Sequence, residues 1–489
     1  MSPPALGYGD LPATQDELGF TPAAKALAEI VQTANLADTP LTIGLYGLWG
    51  SGKTSLMGMI LTRLDSARCT TVWFAAWRYA QQEALWRALL LSVVETLRRN
   101  VVHDDAWLTA YLDYRNRLDP NQPQTILDAK GLTQARATLN ERLDALTASL
   151  YRSVEREEPG TIEFQWDKAG QLVTGTVIRT GFSYLLGGIP KVVEQAGEAD
   201  YATQIFNLFQ RERTRSYRDQ VQSLEQFHTG LTSLVKDLVT SLDRRLVIFI
   251  DDLDRCLPEQ AISVLEALKV FLDIEGCVFV LGMDRAIIEH GIRVHYKEFA
   301  LSGQATAGNF PVAERDYLEK IVQVPFTLPP LDPAAIRAFL GHRLPGVPGL
   351  DAAEAAHVAT LMTAGLLRNP RKVKRSFNIF RLHMTLDRAQ GRQTAAGLIA
   401  KLTVIQSSFA DLYERIAREP TLLRGVEQIV RGMPGVGAIN QELRDEVVRS
   451  DQRLKELLFL TPFFSDLNDE ALRELVYQSR ITGEPSETP

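Results

Sequence analysis

Leu41-Thr42-Ile43-Gly44-Leu45-Tyr46-Gly47-Leu48-Trp49-Gly50-Ser51-Gly52-Lys53-Thr54 is the stretch on which the reading of this chain turns. Leu41 to Tyr46 is a short apolar run of buried-strand length. Gly47 to Thr54 matches G-x-x-x-x-G-K-[ST], and a helical pattern runs from Ser55 to Asp65. Glycines in such a turn let backbone N–H groups point inward around anionic oxygens, and the following helix adds the partial positive charge of its N-terminus. Gly47, Trp49, Gly50, Ser51, Gly52, Lys53, Thr54 and Ser55 are therefore the candidate phosphate-binding residues. Lys53 suits the β- and γ-phosphates of ATP, and the Thr54 hydroxyl suits a Mg²⁺ ion. A glycine-rich turn of purely structural use would leave Lys53 unexplained.

Working outward, Thr21 to Ala34 has helical spacing, Thr70 to Ala75 is a second strand candidate, and a long helix covers Gln82 to Arg99. Residues 101–240 read as polar amphipathic helices broken at Pro120, Pro123, Pro159 and Pro190, with one weak strand signal at Thr161 to Phe164. Arg245 to Ile250 is a third apolar run. Pro258 to Leu272 is helical, with Pro258 in the first turn, where its missing N–H does no harm. Gly276 to Gly282 and Val322 to Leu328 are further strand candidates, and Pro325 sends the last of these to a sheet edge. Strands alternating with helices predict an α/β fold: a P-loop NTPase parallel sheet flanked by helices, with a large mainly helical insert and a C-terminal helical lid and bundle. The expected divisions are 1–100 and 241–330 for the two halves of the core, 101–240 for the insert, 331–395 for the lid, 396–480 for the bundle, and 481–489 for a disordered tail.

The third run ends in Asp251-Asp252. Its apolar residues bury a strand beside the phosphate loop and leave two acids at the carboxyl end, where open α/β sheets bind ligands. Asp251 is the candidate Mg²⁺ ligand. Asp252 is placed to orient or deprotonate an attacking water, or to stand behind as a supporting group. Asp284, just past the fourth strand, either senses the nucleotide through a water or caps the helix beginning at Arg285. Arg255 is either a phosphate-sensing or intersubunit arginine or a structural ion-pair partner. Arg368, Arg371, Lys372, Lys374 and Arg375 form a cluster without an acid. Arg371 from such a lid could reach the nucleotide; the alternatives are nucleic-acid backbone binding and a plain solvated surface. Arg211, Arg213, Arg215 and Arg218 make a second run with the same alternatives.

The chain has 489 residues, 45% hydrophobic and 23% charged, which excludes collagen-like, coiled-coil and wholly disordered classes. With 53 basic against 60 acidic residues the net charge is −7, so nucleic acid is possible as a partner but not indicated. Cys69, Cys256 and Cys277 are odd in number and never C-x-x-C, which favours the reducing cytoplasm over a disulfide framework or zinc site. Met1 to Phe20 holds Asp10, Asp16 and Glu17 and no basic residue, unlike a signal peptide. Gln171 to Pro190 is the most apolar stretch of the middle of the chain, but Arg179 near its centre predicts a buried or interfacial helical hairpin instead of a membrane span. The histidines show no paired ligand spacing. Trp73, Trp77 and Trp86 are expected to pack in the core.

Several motifs together resemble the KAP P-loop NTPases. They are Trp49 with Gly50-Ser51-Gly52-Lys53-Thr54-Ser55, Phe74-Ala75-Ala76-Trp77-Arg78-Tyr79, Ile250-Asp251-Asp252-Leu253-Asp254-Arg255-Cys256, Tyr317-Leu318-Glu319-Lys320-Ile321, and Asn369-Pro370-Arg371-Lys372-Val373-Lys374-Arg375. Ala75 stands where the family usually has Asn, so any polar role of that side chain is lost. The resemblance implies an ATPase of the additional-strand class, related to STAND and AAA+ proteins, many of whose bacterial members look like parts of phage- or plasmid-exclusion systems. Members often carry membrane helices between loop and carboxylate strand; the polarity of this insert departs from that pattern. The expected function is Mg²⁺-dependent ATP hydrolysis that drives a conformational switch in a homo-oligomer or with partner defence proteins. The rivals are a nucleotide-gated scaffold with little hydrolysis and a DNA-stimulated motor.

Overall fold

A computed structural model describes residues 16–79, 85–118, 128–151, 214–268, 274–301, 314–433 and 451–481. The Gln171 to Pro190 hairpin, the Thr161 to Phe164 strand, Arg211, Arg213 and the 482–489 tail lie outside the described residues. The chain divides into two compact units. One holds Ala23–Leu48 and Leu56–Thr327; the other holds Met1–Pro22, Trp49–Ser55 and Leu328–Pro489.

The first unit is built on five strands: β1 Leu41–Tyr46, β2 Cys69–Ala75, β3 Arg245–Asp251, β4 Cys277–Met283 and β5 Val324–Thr327. All four pairings are parallel, and the order is β2-β3-β4-β1-β5. Every residue of β3 and β4 is buried, which is why these strands read as unbroken apolar runs. Pro325 sits in β5, which pairs with β1 alone, so its missing N–H falls on the edge as expected. The order corrects one expectation. β3 is not the neighbour of β1; β4 lies between them, paired to both. Hydrophobicity reports that a strand is buried but not which strand it pairs with.

The helices of this unit are α1 Thr21–Thr33, α2 Lys53–Leu61, α3 Leu85–Leu97, α4 Asp105–Leu118, α5 Ala129–Tyr151, α6 Thr214–Leu238, α7 Pro258–Leu268, α8 Arg285–Leu301 and α9 Glu314–Ile321, with α1 and α2 shared between units at their first turns. The described insert helices are not a separate body. Leu108 of α4, Leu143 of α5 and Phe227 and Leu234 of α6 share one core with Phe74, Leu89, Ile248 and Phe279. Trp107 secures this join: its indole N–H donates to the Leu238 carbonyl at 2.7 Å, and the Arg244 guanidinium lies 3.7 Å from its ring centroid. Core packing holds for Trp86, which packs half-buried against this cluster. It does not hold for Trp73 and Trp77, which are 36% and 47% exposed. β2 is the sheet's last strand on its side, and Trp73 stacks on its register partner Phe249 of β3 at 5.5 Å.

The second unit is helical: α10 Pro333–Arg343, α11 Ala352–Gly365, α12 Pro370–Ala389, α13 Ala396–Ser408, α14 Ala410–Arg418, α15 Leu422–Val430, α16 Gln452–Phe459 and α17 Asp469–Ile481. Its helix starts are written locally. Asp332 caps α10 before Pro333, Asp351 and Glu354 form a capping box on α11, and Asn369 caps α12 before Pro370. At the N-terminal end Asp16 Oδ1 accepts from the backbone N–H groups of Leu18, Gly19 and Phe20. Partial burial raises the Asp16 pKa, but the hydrogen bonds from Thr21, Phe20 and Leu18 outweigh that and bring it down to about 2.

Among the C-terminal helices a Lys401–Glu427 ion pair at 3.1 Å is wholly buried. Lys401 Nζ also donates to the Pro462 carbonyl at 2.9 Å, and Glu427 Oε2 accepts from the Ser465 N–H at 2.9 Å. Burial pulls the Lys401 pKa down, while Glu427 opposes the fall.

Two outcomes are expected. Removing one member of a buried pair strands the other charge, so Glu427→Ala should destabilise the fold by about 3–5 kcal/mol, whereas the joint change K401M/E427L should cost less. Urea denaturation measures both. Because the folded-state pKa of Asp16 is depressed, its contribution is complete above the ordinary carboxylate pKa and is lost as pH falls from about 4 toward 2. The stability difference between wild type and Asp16→Asn should shrink over that window in pH-dependent thermal melts.

Candidate functional site

Between β1 and α2 the chain turns through two glycines in the left-handed region, Gly50 at φ +79° and Gly52 at φ +104°. That conformation strains any L side chain. There is also no room for one. A Cβ at Gly50 would lie 2.7 Å from Arg371 Cβ and 3.0 Å from Asn369 Oδ1, and one at Gly52 would lie 3.1 Å from Phe20 Cε2. Lys53 opens α2 and is 6% exposed. Thr54 and Ser55 follow in the first turn, half-buried. Ser51 Oγ is buried and has no hydrogen-bond partner among the described residues. Trp49 is 64% exposed, with the Arg371 guanidinium 5.0 Å from its ring centroid. The turn is thus lined by backbone and capped on its outer side by the first residues of α12. Of the basic cluster, Arg371 is the member brought to the loop; Arg368, Lys372 and Arg375 are exposed.

The acids stand at the carboxyl edge of the sheet. Asp251 closes β3 with its side chain buried, and its Oδ1 accepts from the Asp252 N–H at 2.9 Å. The carboxylate leans over Gly282 of β4: a Cβ there would come within 3.0 Å of Asp251 Oδ1 and 2.7 Å of Met57 Sδ. Asp252 adopts a left-handed conformation, φ +59°, which is uncommon outside glycine and marks a constrained turn. Its Oδ1 pairs with Arg255 Nε at 2.8 Å, and the Arg255 guanidinium is 5.9 Å from the Trp77 ring centroid. This is the ion-pair arrangement weighed for Arg255. Asp284 is buried and accepts from the Ala286 N–H at 3.1 Å, the capping arrangement weighed for it. The Gly47 N–H donates to the Met283 carbonyl at 3.3 Å, which ties the start of the glycine turn to the end of β4. Burial, with Asp252 and Asp254 nearby, pushes the Cys256 thiol up to about 11, so it stays protonated near neutral pH.

These donor sets suit a triphosphate and a hard divalent cation. The glycine turn offers backbone N–H groups, a buried lysine and an unsatisfied buried hydroxyl to anionic oxygens. Asp251 in one unit and the Thr54 hydroxyl in the other are each an oxygen donor of the kind Mg²⁺ takes. No cluster of three or more His, Cys, Asp or Glu side chains that could hold a metal by themselves occurs among the described residues. No helix among the described residues is long and apolar enough to cross a membrane.

Sequence reading gave no individual role to Asn369, Phe20 or Gly282. Asn before Pro does signal a helix start, but nothing local to Asn369 announces contact with Trp49, 320 positions away.

A family model described as the KAP family P-loop domain matches residues 20–386. The phage T7 exclusion protein of Escherichia coli (strain K12) is 22% identical over 318 residues, which is 64% of this chain and 33% of that protein, so the match spans about a third of the relative's length. The structure of the Aeropyrum pernix ORC2 protein (ADPNP-ADP complexes) covers 94% of this chain and 93% of its own at 13% identity and a TM-score of 0.34, a likeness too slight to carry an argument. The parallel order β2-β3-β4-β1-β5, the left-handed glycine turn after β1, and a match over most of the chain agree: this protein belongs to the KAP family of P-loop NTPases.

Proposed function

We propose that this chain binds ATP with Mg²⁺, hydrolyses it, and uses the cycle to switch the conformation of a homo-oligomer or of a multiprotein complex in anti-phage defence. The observation that carries the reading is the glycine turn itself: two left-handed glycines, a buried lysine and a buried unsatisfied hydroxyl between a central strand and a helix. The similarity to a phage exclusion protein supports the defence setting, over the third of that protein it covers.

In this reading the backbone N–H groups of the turn and Lys53 hold the phosphates. Thr54 and Asp251 hold Mg²⁺, which would supply neutralisation of the phosphate charge. Asp252 orients the attacking water, Asp284 senses the nucleotide through a water, and Arg371 brings a cation to the nucleotide. Catalysis of this kind is positioning plus electrostatics. A slowly hydrolysing nucleotide-gated scaffold is the second reading, favoured by one observation: an oxygen of Asp252 is already engaged by Arg255 at 2.8 Å.

Lys53→Ala should reduce phosphate release to background, and turnover at the wild-type rate in that variant would contradict the assignment. Asp252→Asn should retain ATP binding by isothermal titration while turnover falls by about 10²-fold or more; loss of binding would remove the water-orienting role. Release of many phosphates per chain by the wild type supports hydrolysis, and release of fewer than one supports the scaffold.

A further inference from the structure

Asn369 makes three hydrogen bonds that point two ways. Its Oδ1 accepts from the Arg371 N–H at 3.0 Å and the Lys372 N–H at 3.3 Å, capping α12. Its Nδ2 donates to the Trp49 carbonyl at 3.0 Å. The partners fix the amide orientation, because two N–H donors require the oxygen and one carbonyl requires the nitrogen. The Arg371 N–H, shared with that cap, also reaches the Gly50 carbonyl at 3.3 Å. So the two successive carbonyls at the apex of the turn both end on the first residues of α12.

That has a consequence for the opposite side of the turn. In a trans peptide the C=O and N–H point in opposite directions. Holding the Trp49 carbonyl toward Asn369 turns the Gly50 N–H away from α12, and holding the Gly50 carbonyl toward Arg371 does the same for the Ser51 N–H. Successive N–H groups turned to one side make an anion-binding concavity. The carbonyls, which would repel an anion, are kept on the far side by the positive end of a 20-residue helix. The close approach is possible only because residue 50 has no side chain.

We infer that Asn369 is a positioning residue for anion binding: by holding the Trp49 carbonyl it fixes the peptide orientation that presents the Gly50 and Ser51 N–H groups to a nucleotide's phosphates. The inference rests on the proposed nucleotide reading of the loop. It differs from a helix-capping role, and the two separate by substitution. Asn369→Asp and Asn369→Ser both keep an acceptor suited to capping α12. Neither keeps the donor: aspartate sets an acceptor against the Trp49 carbonyl, and serine is too short to span the gap.

The test titrates Mg²⁺–ATP into the full-length wild type, Lys53→Ala, N369D and N369S, with steady-state kinetics and thermal melts of the nucleotide-free proteins. Both Asn369 variants should melt near the wild-type temperature. They should bind Mg²⁺–ATP about three- to tenfold more weakly, with KM raised and kcat little changed, as the loss of one exposed hydrogen bond implies. Wild-type affinity in N369D and N369S alongside lost binding in Lys53→Ala would overturn the positioning role and leave the nucleotide reading standing. Absence of binding in the wild type would instead overturn the nucleotide reading. If both cap-preserving variants fail to fold, Asn369 is a structural tie and the inference falls.

Discussion

Parallel strands cannot be joined by tight hairpins; each connection must carry the chain back across a face of the sheet before the next strand begins. With all four pairings of β1 to β5 parallel, every strand therefore ends at the same edge. The segments leaving β1, β3 and β4 begin at Gly47, Asp252 and Asp284. The same constraint buries β3 and β4 on both faces, so polar side chains are admitted only where those strands stop. Asp251 stands at the carboxyl end of β3, and its carboxylate fits because Gly282 on the neighbouring strand leaves room.

This explains what could be read in the sequence. Burial on both faces writes continuous apolar runs, so all five strands were legible to within one or two residues. The glycine turn was legible because its backbone geometry admits almost no other residue. The order of strands was not, since side chains that bury a strand do not name its partner. Trp73 and Trp77 misled for a related reason: a large aromatic signals burial, yet Trp73 faces outward on the last strand of the sheet. The insert helices look polar along their length, but the stripe through Leu108, Leu143 and Phe227 joins the main core. The grip of Asn369 on the loop was the least legible feature, because its partner is a main-chain carbonyl and a carbonyl has no residue signature.

Within the helical unit the loop has a route outward. α12 begins at the loop carbonyls, and its length packs on α13. α13 carries Lys401, whose buried pair with Glu427 ties it to α15 and to the Pro462 segment. A buried, hydrogen-bonded ion pair contributes little net stability, but losing one partner is costly because the other charge is left buried and uncompensated. These helices extend past residue 386, where the family match ends.

The central claim is that the Trp49–Ser55 turn is where a nucleotide's phosphates sit. Hydrogen–deuterium exchange of the full-length chain, with and without saturating Mg²⁺–ADP, tests it most directly, because ADP occupies the turn without turnover. Slowed exchange is expected at the amides of residues 50–55 and at 371–373, in the first turn of α12. Unchanged exchange in the turn while nucleotide is bound, or slowing confined to other segments, would contradict it.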